Sequence, residues 1–305
     1  MELFNVYACG GAAINIVKKI NNINCKKFYV DTSVSNAKDI PSNSIYTVEG
    51  MDGAGKRRET TYDLFKEYAS DILIKFKPSG NVNVVISSLS GGSGSVIAPF
   101  VVKELLKQNM TTIVIGVSST NSVIEIINTV KALKTYKSIS NSTSKSIALF
   151  HVDNESRANA DMTVITFLNI IALLTDKSLT EEFDKSDLSN FISFEKVTDN
   201  SRDLGIITLG ENVPVIPHKN TRIVSSLFLT RNRDENLEPV MPEYLATCIV
   251  TDPAFSSSIR VDNVLGALAE LIGSFDSKIQ AFQESKAVTR IKHIETRGNE
   301  DDIVL

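Results

Sequence analysis

The chain has 305 residues, room for one large domain or two, and 42% of them are hydrophobic, ample for a core. Its net charge of -4 gives no general attraction to nucleic acid or an anionic membrane, so no direct nucleic-acid or membrane partner is expected. Cys9, Cys25 and Cys248, like His151, His218 and His293, are scattered without metal-ligand spacing or a disulfide framework; the longest apolar stretch, 164–174, is short for a bilayer, and with no basic leader at Met1-Glu2-Leu3 a cytoplasmic protein is expected.

A strand-like run at 4–8 leads into Cys9-Gly10-Gly11-Ala12-Ala13-Ile14-Asn15 and a helix to residue 20. A second run, 28–30, is followed by Asp31-Thr32-Ser33, and a third, 45–48, by Gly50-Met51-Asp52-Gly53-Ala54-Gly55-Lys56 and a helical pattern over 58–76. The apolar run 82–89 then empties into Ser90-Gly91-Gly92-Ser93-Gly94-Ser95 and a helix to 107. Strand 112–117, helix 123–136 and strand 146–152 continue the alternation, which reads as a doubly wound, mainly parallel sheet covered on both faces. Residues 159–175 read as one long helix, with Met162, Ile165, Phe167, Leu168, Ile171, Ala172 and Leu174 too densely apolar for a surface helix, so burial between two halves of the molecule is expected. Strand signals at 205–209, 222–229, 246–250 and 258–261 and a helix at 264–275 make a smaller second α/β unit. From 278 the chain is polar and ends in acids. The expected division is 1–158, a nucleotide-binding domain; 159–177, the central helix; 178–277, the second domain; and 278–305, a C-terminal helix and acidic tail.

The stretch 90–95 carries the most chemical information. A buried strand that opens through three glycines and three hydroxyls into a helix leaves a row of backbone N–H groups without intrahelical partners, and such a row can wrap a phosphate chain. An ordinary glycine-rich turn is the alternative for this loop alone. Four strand ends carrying Gly, Ser, Thr or Asp within the first hundred residues favour one crevice at the carboxyl edge of a parallel sheet.

With these residues the chain resembles the tubulin/FtsZ superfamily, and within it the short phage-encoded tubulins of the PhuZ kind. The superfamily's GGGTGSG-like loop stands here as Ser90-Gly91-Gly92-Ser93-Gly94-Ser95-Val96, with its first and last glycines replaced and Ser in place of Thr. Gly10, Gly11, Ala12 and Asn15 fall in the family's first glycine loop, with Ala12 where bacterial members place an Asn, and Asp52, Gly53, Ala54 and Gly55 fall in the loop that senses the γ-phosphate. Glu125 matches the ribose contact. The start of the central helix holds guanine in the family, and Asn159 fits that place best, Asp161 second.

The resemblance further implies GTP and GDP as ligands, a magnesium ion at the phosphates, and a GTPase switched on by polymerisation. The family's Asp-x-x-Asp after the central helix is met by Asp184 and Asp187, one to orient a water and the other to polarise it or help hold magnesium; from spacing alone a solvated acidic turn remains the alternative. The first domain offers no obvious carboxylate as base, and the resemblance implies that the missing groups come from the next subunit, in a head-to-tail contact that builds a filament. Such filaments would position phage DNA or capsids. The tail, with Val288, Ile291 and Ile294 in a stripe and Glu300, Asp301 and Asp302 before Ile303-Val304-Leu305, is expected to dock on a neighbour's basic residues, such as Lys56-Arg57-Arg58 or Arg231 and Arg233. Two other readings remain. Gly50 to Lys56 satisfies a P-loop pattern, but Arg57 stands where Ser or Thr would ligate magnesium. The third is a nucleotide-binding scaffold without turnover.

Overall fold

The computed structural model describes residues 2–48, 51, 53–58, 62–199, 202–210, 220–233, 235 and 242–297; Asp52 and the acidic end, 298–305, lie outside them. In chain order the elements are β1 (Phe4–Cys9), α1 (Gly11–Val17), β2 (Cys25–Asp31), β3 (Ile45–Thr47), α2 (Tyr62–Lys75), β4 (Asn83–Ser88), α3 (Gly94–Lys107), β5 (Thr112–Ser118), α4 (Val123–Thr143), β6 (Ile147–Asp153) and α5 (Arg157–Thr175). There follow β7 (Thr180–Glu181), α6 (Lys185–Ile192), β8 (Leu204–Gly210), β9 (Arg222–Thr230), β10 (Tyr244–Val250), β11 (Ile259–Leu265) and α7 (Ala267–Arg297).

Among the described residues eleven strands form one sheet in the order β3-β2-β1-β4-β5-β6-β8-β11-β9-β10-β7. The first seven in that order are parallel, and β11 runs antiparallel to both β8 and β9. The ladder therefore passes from the first unit into the second through β6 and β8, so the two halves share a hydrogen-bonded sheet.

Strand β1 is buried along its whole length, as a strand covered on both faces must be. Phe4, Val6 and Ala8 point to the layer holding α1, α5 and α6, whereas Tyr7 and Cys9 point to the layer holding α2, α3, α4 and α7. Helix α5 is long and apolar enough to cross a bilayer by composition, but half of its most apolar window is buried. Val164, Phe167, Leu168, Ile171 and Leu174 join one core with Ile14 and Ile16 of the first unit and Leu227, Leu229 and Val261 of the second. Burial between the halves holds for this face. It fails for Met162, which is 68% exposed at the helix's amino end.

The end of the second unit also differs from the expected pattern. Val264 and Leu265 belong to β11, and one helix runs unbroken from Ala267 through residue 277 to Arg297. Gly266 explains the late start: its φ is +83° and a Cβ there would lie 2.2 Å from the Asn220 carbonyl oxygen, so strand and helix meet at a turn that only glycine fits.

Helix α7 packs against the end of β6, where the Phe275 ring meets the edge of His151 and Lys278 lies 3.6 Å from Asp153. His151 Nε2 hydrogen-bonds the Ser118 hydroxyl at 2.8 Å, and burial pushes its pKa down to about 4. The unfolded chain takes up this proton near pH 6.5 and the folded chain only near 4, so stability is full above 6.5 and is lost as pH falls between those values. Urea unfolding from pH 7 to 4 should show the wild type losing up to about 3 kcal/mol more than His151→Gln. Parallel pH profiles for the two proteins would show that this histidine is not the cause.

Candidate nucleotide-binding site

Because β1 and β4 are sheet neighbours, the loops after them lie side by side at their carboxyl ends. Gly10, at φ +84°, faces Gly94 so closely that a Cβ on Gly10 would stand 2.8 Å from the Gly94 Cα, and one on Gly94 2.5 Å from the Cys9 carbonyl oxygen. Hydroxyls tie the loops together. Thr32 and Ser93 share a 2.7 Å hydrogen bond, the Ser95 hydroxyl donates to the Gly91 and Gly92 carbonyls, and the Ser119 N–H donates to the Ser90 hydroxyl. Asp31 is spent on this scaffold, accepting from the Thr32 N–H and the Asn36 amide; burial raises its pKa despite those bonds. The side chain of Ser93 does not cap α3, which leaves that helix's first N–H groups to a ligand.

Residues 53–58 lie over this cradle. Gly55 and Lys56 both have left-handed backbones, φ 53° and 61°, and the Arg57 N–H donates to the Ala54 carbonyl at 2.8 Å, the geometry of a type I′ turn. A Cβ on Gly92 would meet the Ala54 Cβ at 2.7 Å and Lys56 Cα at 3.1 Å. The Lys56 ammonium donates to Glu125 Oε1 at 2.7 Å, and the Ser119 hydroxyl to Oε2 at 3.1 Å. Burial works against the Glu125 charge, but the Lys56 hydrogen bond and charge, with the serines, hold its pKa below the usual carboxylate value.

A cavity of about 350 Å3 opens beside the first glycine loop, lined by Ala12, Asn15, Ile16, Val117, Asn154, Arg157 and Asp161. Asp161 is buried and paired with Lys19. Asn159, the residue favoured by sequence for the base, is exposed and does not line this cavity. Sequence reading missed Asn154 and Arg157. The Asn154 Oδ1 atom is buried with no hydrogen-bond partner among the described residues, an acceptor still wanting a donor.

Asp184 and Asp187 lie at the opposite end of the sheet. Asp184 and Lys185 border a cavity with Asn81, Val82 and Thr111, which fall at the amino ends of β4 and β5. The six residues of β4 separate that end from residues 90–95, about 20 Å. Within the chain the two carboxylates form a capping box on α6: Asp184 Oδ1 accepts from the Ser186 and Asp187 N–H groups, and Asp187 Oδ2 accepts from the Asp184 N–H. The Tyr244 hydroxyl donates to Asp187 Oδ1 at 3.0 Å, so both oxygens of Asp187 are engaged, whereas Asp184 is exposed.

Of the basic residues the sequence offers to a neighbour's tail, Arg58 is buried and donates to the Ser95 carbonyl, Lys56 is bound to Glu125, and Arg233 pairs with Glu181 and Glu182. Among the described residues no three His, Cys, Asp or Glu side chains converge to hold a metal.

No protein-family model matches the chain. A phage tubulin-like protein of Pseudomonas phage PhiPA3 is 25% identical over 301 residues, 94% of each chain. The TubZ protofilament of bacteriophage PhiKZ has a TM-score of 0.84 at 18% identity, covering all of this chain and 95% of the other. The structure of the phage tubulin PhuZ with GDP has a TM-score of 0.82 at 19% identity, covering 94% and 93%. With this sheet order and these glycine loops the chain has the tubulin/FtsZ fold, and along nearly its whole length it is similar to phage tubulin-like proteins.

Proposed function

We propose that the protein is a GTP-hydrolysing filament subunit whose site is completed by the next subunit. One observation carries this reading: the cradle and cavity lie at the carboxyl end of the sheet, and the acidic loop lies about 20 Å away at the other end. Stacked head to tail, one subunit's Asp184 faces the nucleotide of another. That contact does not close on itself, so it propagates.

In this reading the backbone N–H groups of 91–95 hold the phosphates, the Gly53-Ala54-Gly55 loop covers them, and Glu125 takes the ribose. Guanine enters the cavity at Ala12 and Asn15, where the Asp161 carboxylate and the Asn154 Oδ1 accept from its ring N–H and amino groups. Adenine offers no such ring donor. Asp184 orients the attacking water, and Asp187, held by Tyr244, shapes the loop around it. Magnesium supplies charge neutralisation on the phosphates when bound. The acidic end would dock on a neighbouring subunit, and the filaments would position phage DNA or capsids in the cytoplasm of an infected bacterium.

A P-loop enzyme is disfavoured by local geometry, since Gly55 and Lys56 form a left-handed turn at 54–57 where a P-loop would open directly into a helix. Sedimentation and negative-stain imaging with GTP, a slowly hydrolysed GTP analogue, GDP and ATP test the proposal. GTP-dependent pelleting of filaments is expected; ATP turnover without pelleting would indicate a P-loop enzyme, and neither would leave a scaffold.

The tail has its own test. Deleting residues 299–305 should leave a folded, GTP-binding monomer whose critical concentration for assembly rises several-fold, and reversing Asp301 and Asp302 to Lys should do nearly the same. The effect should weaken at high salt, because exposed charges are screened over about 8 Å at physiological ionic strength. Assembly of the truncated protein at the wild-type critical concentration would leave the tail without this role.

A further inference from the structure

Glu125 and Asn128 lie three residues apart on one buried face of α4, and both hold the same residue of the covering loop. Glu125 takes the Lys56 ammonium at 2.7 Å. Asn128 donates to the Lys56 carbonyl at 3.0 Å and, with the same amide nitrogen, to the Ser90 carbonyl of the cradle at 3.2 Å. Lys56 keeps a left-handed backbone, φ 61°, which a lysine adopts only where contacts fix it. Its Cα lies over Gly92, so phosphates entering the cradle come against this residue.

We propose that Lys56 is a latch that exchanges partners when nucleotide binds: its ammonium passes from Glu125 to the phosphate chain and releases the Glu125 carboxylate to the ribose hydroxyls. The proposal rests on the reading of the cradle as a nucleotide site. A triphosphate carries several negative charges and competes well with one carboxylate for a flexible ammonium. Glu125 is 9% exposed, and without the ammonium only the Ser119 and Ser122 hydroxyls face its carboxylate among the described residues, so it gains from two new hydroxyl donors. Phosphate binding and ribose binding are thereby coupled through one side chain. A nucleoside without phosphates must compete with Lys56 for Glu125, whereas a nucleotide removes its own competitor. Such an exchange favours phosphorylated ligands beyond the direct attraction of the cradle.

The coupling predicts opposite signs for two ligands. Calorimetric titration of nucleotide-stripped protein should show Lys56→Ala binding guanosine about fivefold more tightly than wild type and GTP about tenfold more weakly. Lys56→Arg, which keeps the charge, should stay near wild type for both. Asn128→Ala loosens the same loop without altering either charge and should move both ligands in the same direction. If Lys56→Ala shifts guanosine and GTP the same way, or shifts neither, the latch is overturned and Lys56 only braces the loop. A wild-type protein that binds neither ligand would instead overturn the nucleotide reading, a result distinguishable from failure of the latch.

Discussion

Asp184→Asn should fold, bind GTP and assemble like the wild type, yet release phosphate at least a hundredfold more slowly, leaving filaments that fail to disassemble. The choice of Asn follows from the cap. Asp184 is the N-cap of α6, taking two backbone N–H groups on one carboxylate oxygen, and Asn caps a helix as well as Asp does. The substitution therefore keeps the local structure and removes the charge that orients water. Those N–H donors also hold the Asp184 pKa below the usual carboxylate value, so the group is ionised throughout the neutral range. Asp187→Ala is the contrasting case. It removes half of the capping box and the Tyr244 contact, so it should cost about 1 kcal/mol of stability as well as slowing hydrolysis. Phosphate release from assembled protein, measured beside thermal unfolding, separates the two. Normal turnover by assembled Asp184→Asn would remove Asp184 from the chemistry and leave it a helix cap.

The first half of the sheet was legible because strands buried on both faces read as apolar runs and their ends read as glycine and hydroxyl loops. What sequence could not order was the start of α5. On a helix, residues four apart share a face, so Arg157 and Asp161 turn together into the cavity, while Asn159, two residues away from each, points elsewhere. Which of Asn159 and Asp161 turns to this cavity depends on the helix phase, and apolar density does not supply it. The same limit hid Met162, counted as core by composition and placed outward by that phase. Pairing across the chain was equally invisible. Lys56 meets Glu125 69 residues away, and Lys19 meets Asp161 142 residues away. Spacing made Lys56 look like part of a P-loop, and only the turn at 54–57 shows that it faces α4 instead. The acidic pair shows the converse. Its geometry is compatible with the solvated-turn reading and with the functional one alike, because the cap that fixes α6 also presents Asp184 to the outside.

Adding one methyl group at each glycine of the signature loop should produce a graded loss of GTP affinity that follows the free space around each Cβ. At Gly91 the new atom would meet only Ser88, no closer than 3.7 Å, an ordinary contact, so Gly91→Ala should bind GTP nearly as well as wild type. At Gly92 it would press on Ala54 at 2.7 Å and on the Lys56 and Arg57 backbone at 3.1 Å, so residues 53–58 must shift; affinity should fall about tenfold, and further in Gly92→Val. At Gly94 the obstacle is the Cys9 carbonyl oxygen at 2.5 Å, backbone on both sides, so the first glycine loop and the signature loop must move apart. Overpacking of this kind costs about 1–3 kcal/mol, roughly a hundredfold in binding at its upper end, and Gly94→Ala should show a loss of that size. None of the three glycines has a positive φ, so the gradient reports close approach rather than backbone strain. Thermal unfolding supplies the control. If the loop were only a turn, the strain would appear in stability and leave ligand affinity flat across the series. Equal GTP affinity in Gly91→Ala, Gly92→Ala and Gly94→Ala, measured by calorimetry on folded protein, would therefore remove the phosphates from this loop while leaving the fold as described.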